Sequence, residues 1–419
     1  MAEGAAAVEV RHHDRFGITW HPSIAASVLA NRDRLDLVEV IPEGRFLESK
    51  RARRALRTLA RTLPVSIHGV SLGLASAATV EPRRLEALAR LVGEVEPESW
   101  SEHLAFVRSG GIELGHLAAP PRTAFTVEAT ADHVEAARVR VGSYPCVENV
   151  ATPIDPPGSD RSEQAWLLDV LKSSPANLLL DLHNLYSNGK NFGFDPTAVL
   201  RALPAERIRA IHIAGGVDVR TDEGEVRHID DHLHDVPDPV YELLEIVGER
   251  VPHALDVVLE RDGAFPTFDR LLAEIDRARL ALARGRARAS CFPAAAAFES
   301  SGCQLYALAL GPHPQRELSL TRSRGFAWPR LRVAAGASVA DETHERVERF
   351  LARLYTDDAL RTRFLAAPLA EARLAGFAPD DAQRIARIDR VGLQLAAASF
   401  AHKRSLRTRN AKDAKSAKK

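Results

Sequence analysis

Six residues of metal-ligand type recur in one position relative to their surroundings: His68, His103, Glu148, Asp181, His212 and Glu260 each sit at or just past the end of a short apolar run. Neutral imidazoles and carboxylates that converge within a few ångströms hold Fe, Mn or Zn in catalytic sites. One such residue says little, because polar side chains often cap strands without binding anything. Six in consecutive runs are not expected by coincidence.

Two further stretches carry candidates. In VRHIDDHLHDVPDPV, Asp230 and His232 form an Asp-x-His pair that could turn both groups toward one ion. His228 and His234 lie beside it, so a His-rich surface loop is an equal alternative for that stretch taken alone. In DLHN, alternation puts Asp181 and His183 on one strand face, so the strand must end or twist for Asn184 to join Asp181. Asp181 ranks first as a ligand there, Asn184 second and His183 third.

The elements that must position these residues are eight strand-like runs: FGITW, LDLVEVI, VSIHGV, SWSEHLAF, CVENV, NLLLDLHN, IRAIHIAG and ALDVVLE, between Phe16 and Glu260. Most are continuously apolar, as strands covered on both faces should be. Segments with helical spacing separate them, such as RRALRTLARTL and DPVYELLEIVGER. Eight alternations of strand and helix predict an α/β fold of the (β/α)₈ TIM-barrel type, which gathers the carboxyl ends of all strands on one face.

The barrel domain is expected over residues 14–285, a linker or irregular edge over 286–330, a small all-helical domain over 331–402, and a disordered basic tail over 403–419. Pro, Gly and Ser gather in the second segment. In the third, Phe350, Leu351 and Leu354 form one stripe, followed by Leu360 with Phe364 and by Ile385, Ile388 and Leu395. Breaks fall at Pro368 and at Gly376 to Pro379.

A length of 419 residues suits a barrel of about 250 residues plus a smaller unit. The formal net charge is zero, yet the tail from Lys403 holds eight Lys or Arg against Asp413 and leaves the remainder at −7. A short tail of this kind is most simply a solvated terminus, so neither a nucleic-acid nor a membrane partner is expected. Cys146, Cys291 and Cys303 are too few and too irregularly spaced for a disulfide framework, which points to a reducing, cytoplasmic compartment. No run approaches the roughly 18 apolar residues of a membrane span, and the N-terminus lacks the apolar core of a signal peptide.

Taken together, HGVSLGL (68–74), SEHLAF (101–106), VENV (147–150), DLHN (181–184), IHIAGG (211–216), IDDHLHDVPDPV (229–240) and LERD (259–262) resemble the multinuclear non-haem iron-dependent oxidases typified by the methanobactin-biosynthesis oxygenase. The resemblance covers roughly residues 14–284 and keeps motif order. It implies a xylose-isomerase-like barrel binding two or three irons in mixed valence, with O₂ as co-substrate. His68, His103 and Glu148 would hold the first ion. Glu148 would bridge to a second completed by Asp181, His212 and Glu260, and Asn184, Asp230 and His232 would hold a third. The implied substrate is a cysteine-containing, ribosomally made precursor peptide. The implied partner is a small peptide-presenting protein, unless the fused helical segment replaces it.

The same order of ligands is similar to the trinuclear zinc apurinic-site endonucleases. There a His is expected three residues after the Asp of the sixth strand, where this chain has Asn184, and the barrel portion lacks the basic surface a nuclease needs. Metal-dependent sugar isomerases of the same architecture are a further alternative. A pure scaffold would have no reason to place bare carboxylates and imidazoles at one barrel mouth.

Overall fold

The computed structural model describes residues 13–43, 47, 49–221, 224–291 and 339–416, with side chains in the last segment from 342 to 405. Eight parallel strands close into a barrel: β1 (Arg15–Thr19), β2 (Leu37–Val40), β3 (Val65–Gly69), β4 (Ser99–His103), β5 (Cys146–Glu148), β6 (Asn177–Asp181), β7 (Ile208–Ile213) and β8 (Asp256–Leu259). Each pairs with the next in sequence, and β8 returns to β1 with Arg15 opposite Asp256. The TIM-barrel expectation holds.

Register sets the height of each side chain in the barrel. His103 pairs with Glu148 and Asp181 with His212, while Glu148 itself stands opposite Leu179, so the four candidates form two level pairs offset by two residues at the same end of the barrel. Adjacent strands are about 4.8 Å apart, which brings side chains of that reach together without any loop rearrangement. Beneath them, Ile18, Val38, Ile67, Leu178, Leu180 and Ile211 are fully buried in one continuous apolar core that also takes in the surrounding helices.

Two antiparallel hairpins interrupt the alternation. SWSEHLAF, read as one strand to Phe106, divides instead: β4 ends at His103, and Phe106–Ser109 pairs with Ile112–Ala118. A second hairpin, Gly216–Arg220 with Val226–Asp230, follows β7 and carries His228 and Asp230.

Of the expected linker, residues 286–291 continue the helix Phe268–Cys291, whose Ala- and Arg-rich sequence favours helix. Residues 292–330 lie outside the described residues. The remaining helices are Val339–Thr356, Asp358–Ala366, Pro368–Leu374, Pro379–Ala386 and Arg390–Ser416, with Pro opening the third and fourth. Residues 403–416, expected to be irregular, continue the last helix. That stretch has no Gly or Pro and is rich in Ala, Lys and Arg, all good helix formers.

These helices share a core with the barrel. Phe350, Leu351, Leu354, Leu360, Phe364, Ile385 and Leu393 cluster with Phe106, Leu114 and Ala118 of the first hairpin and with Ile154 after β5. Leu395 departs from its expected stripe: it is only half-buried and lines a cavity over the barrel mouth. Polar anchors reinforce the joint. Ser76 Oγ and the Ala77 amide donate to the Glu348 carboxylate, each at 2.7 Å, and His344 Nε2 lies 3.1 Å from Thr123 Oγ1.

Glu348 makes this joint sensitive to pH. Burial pushes its carboxyl up to about 8, against the opposing pull of Ser76 and Ala77. A folded value above the unfolded one, about 4.3 for Glu, means that the contribution to stability is complete below pH 4 and lost as pH rises through 8. We expect the wild-type chain to lose on the order of a few kcal/mol between pH 5 and 9 relative to Glu348→Gln. Denaturant melts of both chains across that range check this, and parallel curves would contradict it.

Candidate metal centre

The six strand-end candidates converge at the carboxyl end of the barrel. Glu148, fully buried, stands between three imidazoles: its Oε2 lies 3.3 Å from His68 Nε2 and 3.2 Å from His103 Nε2, and its Oε1 lies 3.3 Å from His212 Nδ1. His212 Nδ1 is also 3.0 Å from Glu260 Oε2. Two groups result, His68–His103–Glu148 and Glu148–Asp181–His212–Glu260, each with donor atoms within 4.8 Å of one another. Glu148 belongs to both.

The hydrogen-bond bookkeeping of these atoms is unusual. Buried polar atoms are nearly always paired, yet His68 Nε2, both Glu148 oxygens, Asp181 Oδ2, Asn184 Oδ1 and both ring nitrogens of His212 and His232 are buried without a hydrogen bond. The oxygens and one lone-pair nitrogen from each ring are the atoms a cation would engage. In several of the candidate ligands the opposite atom is held by protein. His103 Nδ1 donates to the Gly69 carbonyl at 3.0 Å, which leaves Nε2 with the lone pair in the neutral ring. His68 Nδ1 contacts Ser101 Oγ at 2.8 Å, and Asp181 Oδ1 accepts the Asn184 amide at 2.7 Å. Outer partners of this kind fix tautomer and orientation in metal sites.

Charge tells the same story. Burial alone would push the His103 ring down, but Glu148 and Glu102 carry it up to about 9. His212 is likewise raised despite burial, by Glu39, Glu148 and Glu260. Burial favours the neutral acid at Glu148, yet His103, His212 and His68 hold it below the usual carboxylate range. Asp181 goes the other way, pushed well up by burial and then by Glu148 and Asp230. Without a cation, Asp181 and the His103 and His212 rings are the groups that retain protons. A bound dication would displace them, so uptake of metal should release protons.

DLHN resolves through a change of element. β6 ends at Asp181, which caps the helix Leu182–Phe192, and the first helical turn brings Asn184 to the same side, three residues on. His183 turns away: its Nδ1 lies 2.6 Å from Asp230 Oδ1, and its Nε2 3.1 Å from His228 Nε2. At the expected third position, His232 Nε2 is 2.9 Å from Asp230 Oδ1, and Asn184, Asp230 and His232 line one cavity of about 260 Å³. His232 also joins a group with Glu260 and Asp262. The His232 backbone, at φ 58°, lies in the left-handed region that non-glycine residues seldom adopt, a strain characteristic of functional turns.

Sequence reasoning passed over two residues. Glu39 of β2 is buried with Oε1 2.9 Å from His212 Nε2, placed to keep the proton on that nitrogen and the lone pair on Nδ1. Its only sequence signal is an acid, the second after Asp36, within the otherwise apolar run LDLVEVI. Asp262 was visible in LERD, two residues past Glu260.

The sequence model of the family described as "RiPP precursor modification enzyme MbnB/TglH/ChrH" matches residues 15–283. The chain belongs to that family. Among curated relatives, a UPF0276 protein of Streptomyces avermitilis is 36% identical over 284 residues, covering 65% of this chain and 56% of its own length. This chain thus spans little more than half of that relative. A UPF0276 protein of Caulobacter vibrioides is 31% identical over 274 residues, with 65% of this chain and 96% of its own length covered. The family match stops before the C-terminal helices.

Among solved structures, a xylose isomerase domain containing protein from Salmonella typhimurium aligns with TM-score 0.45 and 16% identity over 66% of this chain and 100% of its own. An L-ribulose 3-epimerase aligns with TM-score 0.44 and 16% identity over 68% and 99%. These likenesses concern the xylose-isomerase-like barrel architecture alone, and nothing further rests on them.

Proposed function

We propose that this family member is a multinuclear iron-dependent oxidase that modifies cysteine residues of a ribosomally made precursor peptide, with O₂ as co-substrate. The observation that carries the metal part is the set of buried donor atoms without hydrogen bonds, centred on Glu148. His68, His103 and Glu148 would hold one ion, and Glu148, Asp181, His212 and Glu260 a second. Asn184, Asp230 and His232 are the candidates for a third. Imidazole and carboxylate donors suit Fe, Mn and Zn alike, so the preference for iron and for cysteine rests on the resemblance of the motifs to the multinuclear iron-dependent oxidases, and the peptide substrate on the family match.

Bound iron would supply the redox chemistry and the Lewis acidity that O₂ activation needs. The chain's own residues do the rest. Glu148 would serve the first two positions together, since its Oε2 faces His68 and His103 and its Oε1 faces His212. Gly69, Ser101 and Glu39 orient His103, His68 and His212 respectively. Val70, Val150, Pro153 and Phe400 wall the cavity and limit water beside the donor atoms. A cavity of about 260 Å³ admits one or two side chains of an extended peptide rather than a folded partner.

Asn184 favours this reading over a trinuclear hydrolase, because it offers a weaker amide oxygen where the hydrolase pattern expects an imidazole nitrogen. The last of the C-terminal helices completes the cavity wall, and we assign to the C-terminal helices the role of a peptide-presenting partner fused in cis. No helix among the described residues is long and apolar enough to cross a membrane.

Elemental analysis with Mössbauer spectroscopy, on protein prepared without added metal, tests the assignment. Two or three irons per chain in mixed valence are expected. Stoichiometric zinc without iron would overturn the oxidase reading and favour hydrolysis.

A further inference from the structure

The last helix, Arg390–Ser416, reaches the metal pocket itself. Its Phe400 and Lys403 line the cavity that also holds Glu148, His232 and Glu260. Lys403 Nζ stands 3.3 Å from Asp262 Oδ2. That oxygen is 3.7 Å from His232 Nδ1, and Glu260 Oε1 is 3.5 Å from the same nitrogen. His232, Glu260 and Asp262 therefore offer three donor atoms within 4.8 Å, at the edge of the two Glu148-centred groups. His232 is only 8% exposed, and neither of its ring nitrogens makes a hydrogen bond. This corner has the donors for a cation, and a primary ammonium already stands against it.

We propose that the Lys403 ammonium and a metal ion compete for the His232–Glu260–Asp262 corner, so that the C-terminal helix sets how many ions the barrel mouth holds. The inference rests on the reading of the barrel mouth as a metal centre. An ion bound to Asp262 Oδ2 would lie within a few ångströms of the ammonium that shares the oxygen, and two cations that close repel strongly away from bulk water. Burial opposes the charge on Lys403, but Asp262, Asp230 and Glu260 keep the proton in place. The four-carbon stem can swing the ammonium out toward solvent, which makes exchange between the two occupants possible without unfolding the helix. A partly exposed pair of this kind adds little to stability, so its removal reports on occupancy rather than on folding.

The test uses the full-length chain, stripped with a chelator and dialysed against manganous ion as an air-stable probe, with bound metal counted by mass spectrometry. Wild type should take up two ions tightly and a third, held at His232 whether its other donors are Asn184 and Asp230 or Glu260 and Asp262, at least tenfold more weakly. Lys403→Met should tighten the third at least tenfold and leave the first two unchanged, while Lys403→Arg, which keeps the charge, should behave as wild type. Electron paramagnetic resonance of the manganese should show a changed spin-coupling pattern only in Lys403→Met. An unchanged third equivalent in Lys403→Met, or an equal change in Lys403→Arg, with the first two intact, would overturn the competition alone. A wild-type chain that takes up no ions would overturn the metal-centre reading and this inference with it.

Discussion

Replacing Glu148 by alanine is expected to empty two metal positions at once. The carboxylate is fully buried, with one oxygen facing His68 and His103 and the other facing His212 at 3.2–3.3 Å. No other side chain belongs to both the first and the second group. His68→Ala removes a donor from the first group only, so its loss should be confined there and the second ion should persist. Turnover in Glu148→Ala should fall by roughly 10³-fold or more, beyond the 10–100-fold typical when an outer partner of a metal ligand is removed. Glu148→Gln keeps the volume and separates loss of charge from loss of packing. Metal counting on the three variants decides the matter: equal metal loss in His68→Ala and Glu148→Ala would dismiss the bridge.

The reach of the sequence is clearest at these strand ends. His68, His103, Glu148, Asp181, His212 and Glu260 were legible because parallel barrel strands are largely apolar and stop at polar residues, and because the closed parallel sheet brings all the stops to one end of the barrel. Glu39 was not, since one of two acids inside LDLVEVI looks the same whether it faces the barrel axis or caps a turn. The order within DLHN depended on where β6 ends. Alternation alone aligns His183 with Asp181, and only the switch to helix at Leu182 turns Asn184 inward and sends His183 to Asp230.

Long-range contacts were the least legible. Lys403 opens a basic stretch that reads as a tail, and nothing local to it indicates that the helix runs on and lays its ammonium against Asp262, 141 positions earlier. The apolar stripes of the C-terminal segment foretold helices but not what they cover. Their core turned out to include Phe106, Leu114 and Ala118, on a hairpin that interrupts the barrel pattern.

That shared core makes a second large effect accessible through one residue. Gly392, in the first turn of the last helix, packs against the loop after β5 so closely that a Cβ would overlap the Pro153 carbonyl oxygen and approach Ile154 Cγ2 to 2.8 Å. The carbonyl belongs to backbone and cannot rotate away as a side chain could. Gly392→Val should therefore lever the helix from the barrel, at roughly 1–3 kcal/mol by analogy with overpacked cores. The Glu148-centred groups, built wholly from barrel residues, should keep their ions. With Phe400 and Leu395 displaced, the cavity loses one wall, and affinity for a cysteine-containing peptide of the kind proposed as substrate should drop at least tenfold. Limited proteolysis should cut Gly392→Val within the last helix under conditions that leave wild type intact. Unchanged peptide affinity in a chain whose helix is demonstrably released would remove the C-terminal helices from substrate binding and leave the barrel as the sole recognition surface.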